Sequence, residues 1–127
     1  QNENIKLNIT AITNYGQVQQ LKNFISKNSL IYLSIFAGRI ADTGIDPINI
    51  FSQSINLFKN YNNLEFIWAS PRELLNIFQA NSIGCHIITV TDTILNKLNL
   101  IGKDLDEYSL ETVKMFYNDA ISAKLKI

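Results

Sequence analysis

The stretch SLIYLSIFAGRIADTGIDP, residues 29–47, decides the fold of this chain. Residues 29–37 form a near-continuous apolar run of the length of a buried strand, which ends at Gly38. A loop is expected from there to Pro47, which suits the first position of a helix with Asp46 as its capping residue. The stretch therefore predicts a strand, a loop and a helix, which together form one βα unit.

Similar units lie on both sides of this stretch. Apolar runs predict further strands, and apolar residues at helical spacing predict the helices that follow each strand. The additional strands are expected at 5–12, 62–70 and 85–90, and the helices at 14–28, 47–61, 71–81, 93–100 and 104–127. The order βαβαβαβα indicates an α/β fold with a parallel sheet, formed by 1–127 as one segment.

Composition excludes several classes of function. Hydrophobic residues make up 46% of the chain and charged residues 17%, which is enough for a core and too apolar for disorder. The 11 basic and 11 acidic side chains cancel without a run of like charge, so no nucleic-acid or anionic-membrane partner is expected. No stretch resembles a signal peptide or a membrane span of about 20 apolar residues.

The single cysteine, Cys85, excludes an internal disulfide and is typical of a reducing, cytoplasmic compartment. It is followed by the only histidine, His86. On a strand the two side chains point to opposite faces, which makes them a poor metal pair. No metal site is expected.

Asp42-Thr43-Gly44 has the tripeptide that surrounds the catalytic carboxylate of aspartic proteases. An aspartic protease half is nearly all β, whereas this tripeptide lies in a predicted loop between a parallel strand and a helix. Two subunits would also be needed to supply the two aspartates that share a proton. The tripeptide is therefore interpreted as a look-alike with no catalytic role.

Ligands of parallel α/β folds bind at the carboxyl ends of the strands, where residues 38–46 are expected. Gly38 allows a tight turn or close approach of the backbone, and Arg39 offers a fork of donors for a phosphate or carboxylate. Asp42 is expected to orient Arg39. An Arg–Asp pair that merely closes the loop explains the same residues equally well.

Two other places carry polar side chains. Ser70 and Arg72 lie at the end of the third strand, where the following helix begins and its N-terminus attracts anions. The alternative interpretation of Arg72 is a solvated arginine in the first turn of that helix. Asn8 and Thr10 share one face of the first strand. Such side chains need hydrogen-bond partners, which a polar barrel interior or an active-site mouth provides better than a dry core.

These segments match a known family. KLNITAI, IYLSIFAGRIADTG, FIWAS and GCHIITV resemble, in this order, the last four βα units of bacterial transaldolases and the related fructose-6-phosphate aldolases. The most specific part is Ser34, Phe36, Gly38, Arg39 and Ile40. The resemblance implies a parallel (βα)4 half of a TIM (β/α)8 barrel, corresponding to strands 5–8.

The resemblance also implies roles for individual residues and a reaction. The reaction is transfer of a dihydroxyacetone unit from fructose 6-phosphate to erythrose 4-phosphate through a Schiff base, without a cofactor. Arg39 and Arg72 are implied to bind phosphate. The implied substrate-binding residues are Asn8, Thr10, Ser34, Phe36 and Ser70.

The family's Schiff-base lysine lies on the fourth barrel strand and its acid–base carboxylates on the first and third, outside the four units found here. Lys6 shares a face with Asn8 and Thr10, but it stands at the start of its strand, away from the carboxyl end. No catalytic residue is therefore assigned, and the chain alone is expected to be inactive. Its open sheet edges predict association with an N-terminal half-barrel or with a second copy.

Two other functions stay open from the sequence. One is a non-catalytic half-barrel that binds sugar phosphates or self-assembles, retaining Arg39 without the chemistry. The other is a lyase of the fructose-6-phosphate aldolase type, against which Phe36 argues mildly, because those enzymes tend to carry tyrosine there.

Overall fold

A computed structural model describes residues 5–26 and 28–124 of the chain. The chain divides into two compact units, residues 1–96 and residues 97–127. The first unit contains the sheet and the helices between its strands. The second contains a 3-10 turn, Leu98–Leu100, and the final helix. The prediction that 1–127 is a single segment stays a prediction.

The sheet has four strands in the order β1-β2-β3-β4, and each neighbouring pair is parallel. The strands are β1 Leu7–Ile12, β2 Ile31–Phe36, β3 Leu64–Ala69 and β4 Ile87–Ile88. Parallel strands in sequential order, alternating with helices, confirm the predicted α/β fold and are the arrangement of half a (β/α)8 barrel.

The last strand is shorter than the predicted 85–90. Gly84 has a φ of +71°, and the amide of Cys85 still donates to the carbonyl of Ala80 in the preceding helix. Regular pairing with β3 therefore begins only at Ile87. It continues one residue beyond the strand, since the amide of Thr89 donates to the carbonyl of Trp68 at 3.1 Å.

The helices begin and end where local side chains and turns allow. They are α1 Tyr15–Leu21, α2 Ala37–Ala41, α3 Pro47–Leu57, α4 Leu75–Ser82, α5 Asp92–Leu95 and α6 Leu105–Ser122. Asp46 caps α3 by accepting from the amide of Ile48 at 2.9 Å, with Pro47 in the first turn, which confirms that prediction.

Several predicted helix and loop bounds need correction. The first helix ends at Leu21 rather than at 28, because the next amides donate to carbonyls three residues back and tighten the turn. The predicted loop after β2 is in part the short helix α2. The helix predicted over 93–100 is shorter: α5 ends at Leu95, with Thr91 at its N-cap position, and is followed by the separate 3-10 turn.

The two faces of the sheet differ in chemistry. Side chains of one face pack against the helices, and Leu33, Ile35, Phe66 and Trp68 there are at most 1% exposed. Trp68 stacks on Phe51 of α3, with ring centroids 4.8 Å apart. The opposite face corresponds to a barrel interior. By register and alternation it carries Asn8, Tyr32, Ser34, Phe36, Glu65, Ile67 and Ala69.

Within residues 5–26 and 28–124, no helix has the length and apolar character needed to cross a membrane.

Candidate functional site

The carboxyl ends of β2 and β3 meet in a very close backbone contact. A Cβ atom built on Gly38 would lie 1.9 Å from the carbonyl oxygen of Ser70, 2.8 Å from its Oγ and 2.9 Å from Nε of Arg72. Only glycine fits at this position, because any Cβ atom would overlap the backbone of Ser70. The prediction that Gly38 permits close approach of the backbone is confirmed. The contact brings Gly38, Ser70 and Arg72 together at one edge of the sheet.

Ser70 has an unusual backbone at this contact. Its φ is +60°, in the left-handed region that residues other than glycine rarely adopt. The residue directly follows β3, so the chain turns sharply where the strand ends. The turn lies at the carboxyl edge of the sheet, where ligands of α/β folds bind.

Arg72 forms an ion pair with Asp42, across 30 positions of the chain. The distance from Arg72 Nη2 to Asp42 Oδ2 is 2.8 Å, and both side chains are about half exposed. The expectation that Asp42 orients Arg39 is therefore wrong, because its carboxylate binds the other arginine. Arg39 lies exposed in α2, and no ion pair or hydrogen bond of its side chain occurs within the described part of the chain.

The sequence suggested that Arg72 lies in the first turn of a helix, and the structure shows that it does not. Helix α4 begins three residues later, at Leu75. Oδ1 of Asn76 accepts from the amides of Arg72 and Glu73, at 2.8 and 3.0 Å. These two amide donors, which could otherwise bind an anion, are satisfied by the chain itself. The positive charge of this segment is carried by the Arg72 side chain.

A second polar group lies on the barrel-interior face of β1 and β2. The hydroxyl of Ser34 donates to Oδ1 of Asn8 at 2.8 Å, and Ser34 is buried. The predicted need of Asn8 for a partner is thus met by another predicted site residue. Thr10 is exposed beside Ala11, whose φ of +62° accompanies a shift in the β1–β2 register.

Phe36 ends β2 and serves as the N-cap of α2, half-buried and on the face of Ser34. The described residues show no side-chain hydrogen bond for Thr10 and no ring contact for Phe36. The structure thus forms one pair from Asn8 and Ser34 and one cluster around Gly38, Ser70 and Arg72.

A cavity of about 340 Å³ lies beside the Asp42–Arg72 ion pair, between α2 and α4. Its wall includes Trp68, whose indole Nε1 is buried without a hydrogen-bond partner among the described residues. Neither Trp68 nor Asn76 is a site residue predicted from the sequence. Trp68 is the only tryptophan of the chain, which is the one signal that could have drawn attention to it.

The side chains of Cys85 and His86 contact the backbone of β3. Nδ1 of His86 accepts from the amide of Phe66 at 3.1 Å, and Sγ of Cys85 lies 3.4 Å from the carbonyl oxygen of the same residue. Burial raises the pKa of the Cys85 thiol, against the opposing effect of backbone hydrogen bonds. No group of three or more potential metal ligands of the His, Cys, Asp and Glu types occurs within 5–26 and 28–124.

A family described as Transaldolase/Fructose-6-phosphate aldolase matches residues 1–127. A probable transaldolase of Thermoanaerobacter sp. (strain X514) is 31% identical over 126 residues, which cover 98% of this chain and 54% of that protein. A probable transaldolase of Nitrosopumilus maritimus (strain SCM1) is 31% identical over 98 residues, covering 76% and 42%.

A probable transaldolase of Clostridium kluyveri (strain NBRC 12016) is 34% identical over 94 residues, which cover 73% of this chain and 42% of the relative. The chain thus spans about half the length of the curated relatives it matches. The family match extends over all four βα units. The chain belongs to the transaldolase/fructose-6-phosphate aldolase family.

Proposed function

We propose that this chain provides the phosphate- and substrate-binding half of a transaldolase, corresponding to strands 5–8 of its barrel. The complete enzyme transfers a dihydroxyacetone unit from fructose 6-phosphate to erythrose 4-phosphate. The Schiff-base lysine belongs to the other half of the barrel, and no residue of this chain takes its place. Lys6 is exposed directly before β1, away from the carboxyl end of the strand, and remains a poor substitute.

The observation that carries the proposal is the contact of Gly38 with Ser70 and Arg72. It brings the short helix α2 and the segment after β3 together where the carboxyl ends of adjacent parallel strands meet, which is the ligand-binding edge of α/β barrels. A guanidinium at that edge suits a phosphate, because its planar fork of donors matches the phosphate oxygens. Arg39, exposed in the short helix after β2, supplies the second positive charge.

The Asn8–Ser34 pair supports a role in holding the carbon chain of the sugar. Its hydrogen bond lies on the face that corresponds to the barrel interior. Hydroxyl and amide groups both donate and accept, as the hydroxyls of a sugar do. Thr10, Phe36 and Ser70 are proposed to complete this surface.

The first test is the binding of fructose 6-phosphate to the chain, measured by isothermal titration calorimetry at low ionic strength. Arg72→Ala and Arg39→Ala are each expected to weaken binding about 10-fold or more, since hydrogen bonds to charged groups contribute about 1.5–3 kcal/mol. Lys59→Ala is the matched control, because it removes one positive charge from the exposed segment between α3 and β3. No binding, or equal losses in all three variants, would refute the proposed phosphate site.

The second test separates transferase activity from the alternatives. The chain is mixed with a segment carrying the first four βα units of the Thermoanaerobacter relative, and fructose 6-phosphate is supplied with erythrose 4-phosphate. Transfer to the acceptor supports the proposal. Cleavage without transfer indicates a lyase, and binding without turnover indicates a non-catalytic module.

A further inference from the structure

The Asp-Thr-Gly tripeptide has a defined place in the structure. Asp42 is the C-cap of α2, and its amide donates to the carbonyl of Gly38 at 2.9 Å. The amide and the hydroxyl of Thr43 both donate to the carbonyl of Ile40, and Gly44 follows with a φ of +81°. The tripeptide therefore ends the helix and holds the backbone of Asp42 in a fixed position.

Arg72 is held from several sides. Its backbone amide donates to Asn76, and its Nε lies close to Gly38. Its Nη2 donates to Asp42, and this is the one hydrogen bond of the guanidinium within the described part of the chain. One corner of the planar fork is thus anchored, while its other N–H groups stay available to a ligand.

We infer that Asp42 is a positioning residue for Arg72 in the binding of the sugar phosphate, which rests on the proposed function. Arginine is a long, rotamer-rich side chain, and ordering it on binding costs affinity. The ion pair orders the guanidinium before the ligand arrives. Asp42 does not contact the phosphate and acts only through Arg72.

The charge of Asp42 has the opposite effect, since a carboxylate near the site repels the phosphate. A simple removal of the side chain therefore mixes two opposing changes. Asp42→Asn and Asp42→Ala remove the same charge, but only asparagine retains an oxygen that accepts from Arg72 Nη2. The difference between these two variants isolates the positioning effect.

The experiment measures the dissociation constant for fructose 6-phosphate of the wild-type chain and of both variants. Asp42→Asn is expected to bind roughly 3- to 10-fold tighter than Asp42→Ala, the range that corresponds to ordering one rotamer-rich side chain. Circular dichroism verifies that each variant is folded. If the alanine variant is unfolded, Asp42→Ser replaces it, because its hydroxyl is too short to reach the guanidinium.

Two outcomes oppose the inference and can be told apart. If the wild-type chain binds fructose 6-phosphate and the asparagine and alanine variants bind it with equal affinity, only the positioning role of Asp42 is overturned, and the proposed function stands. No binding by the wild-type chain overturns the proposed function and the role of Asp42 with it.

Discussion

Replacing Gly38 with alanine tests whether the contact between the ends of β2 and β3 organises the site. The added Cβ would lie 1.9 Å from the carbonyl oxygen of Ser70, and real Cβ atoms essentially never come within 3.0 Å of another heavy atom. The nearest atom belongs to the backbone, so a side-chain rotation cannot relieve the overlap. Either α2 or the residue after β3 must move.

Two effects of opposite sign decide how Gly38→Ala changes the free energy of unfolding. Alanine in a helix is favoured over glycine by about 1 kcal/mol, which would stabilise α2. Overpacking in a tightly packed contact costs about 1–3 kcal/mol and at times more, even after relaxation. An overlap of more than 1 Å with backbone lies at the upper end of that range, so the steric cost exceeds the gain. A net loss of about 1–2 kcal/mol lowers Tm by roughly 3–8 °C.

The assay combines urea unfolding with titration of fructose 6-phosphate. Gly84→Ala is the matched control, because Gly84 has a φ of +71° and open space around the position of its Cβ. It is expected to lose about 1 kcal/mol of stability from backbone strain and to bind as the wild type does. Gly38→Ala is expected to lose stability and also to weaken binding, since Ser70 and Arg72 move.

A double variant provides the sharper comparison. Ser70→Ala removes the Oγ that lies 2.8 Å from the added Cβ, but it leaves the carbonyl oxygen at 1.9 Å. Adding Ser70→Ala is therefore not expected to restore the stability that Gly38→Ala loses. A Gly38→Ala chain as stable as the wild type, or full rescue by Ser70→Ala, would contradict this account of the contact.

Three further changes follow from the structure. Ser70→Gly is expected to be more stable than Ser70→Ala by roughly 1 kcal/mol in urea unfolding, because glycine adopts the left-handed φ of +60° without strain. Phe51→Ala removes the ring stacked on Trp68, and it should cost about 3–5 kcal/mol and shift tryptophan emission to longer wavelength. Burial raises the pKa of the Cys85 thiol, so alkylation by iodoacetamide at pH 8 should be slower in the native chain than in urea.

The raised pKa of Cys85 also gives stability a defined pH dependence. A thiol whose pKa is raised by folding contributes stability that is fully present below the pKa of the unfolded thiol and is lost as pH rises through the folded pKa. Stability is therefore expected to fall above about pH 8.5. Cys85→Ala should remove this part of the slope. Equal alkylation rates in the native and unfolded chains would contradict the burial of the thiol.

The predictions for Ser70 and Phe51 can each be contradicted by a comparison of two variants. Equal stabilities of the two Ser70 variants would show that the left-handed backbone is not strained. Phe51→Ala is compared with Phe78→Ala, which removes the same ring from a side chain that is 48% exposed. Similar losses in the two variants would contradict the buried stacking of Phe51 on Trp68.

The sequence by itself determined the order of elements and part of the candidate site. Alternation of apolar runs with helical periodicity depends only on neighbouring residues, so β2, α3 and the Asp46–Pro47 cap could be predicted. The same holds for the family motif that includes Gly38, because it is contiguous. Elements of marginal length were less predictable. Helix α2 and the two-residue strand β4 depend on contacts with the rest of the sheet.

Only the tertiary structure decided which side chains are partners. Asp42 lies three residues from Arg39 but pairs with Arg72, and Ser34 donates to Asn8, 26 positions away. Such pairs depend on the register of adjacent strands and on how closely their ends approach, here through the bare Cα of Gly38. Local pattern shows which face a side chain occupies, whereas its partner across the sheet is set by distant parts of the chain.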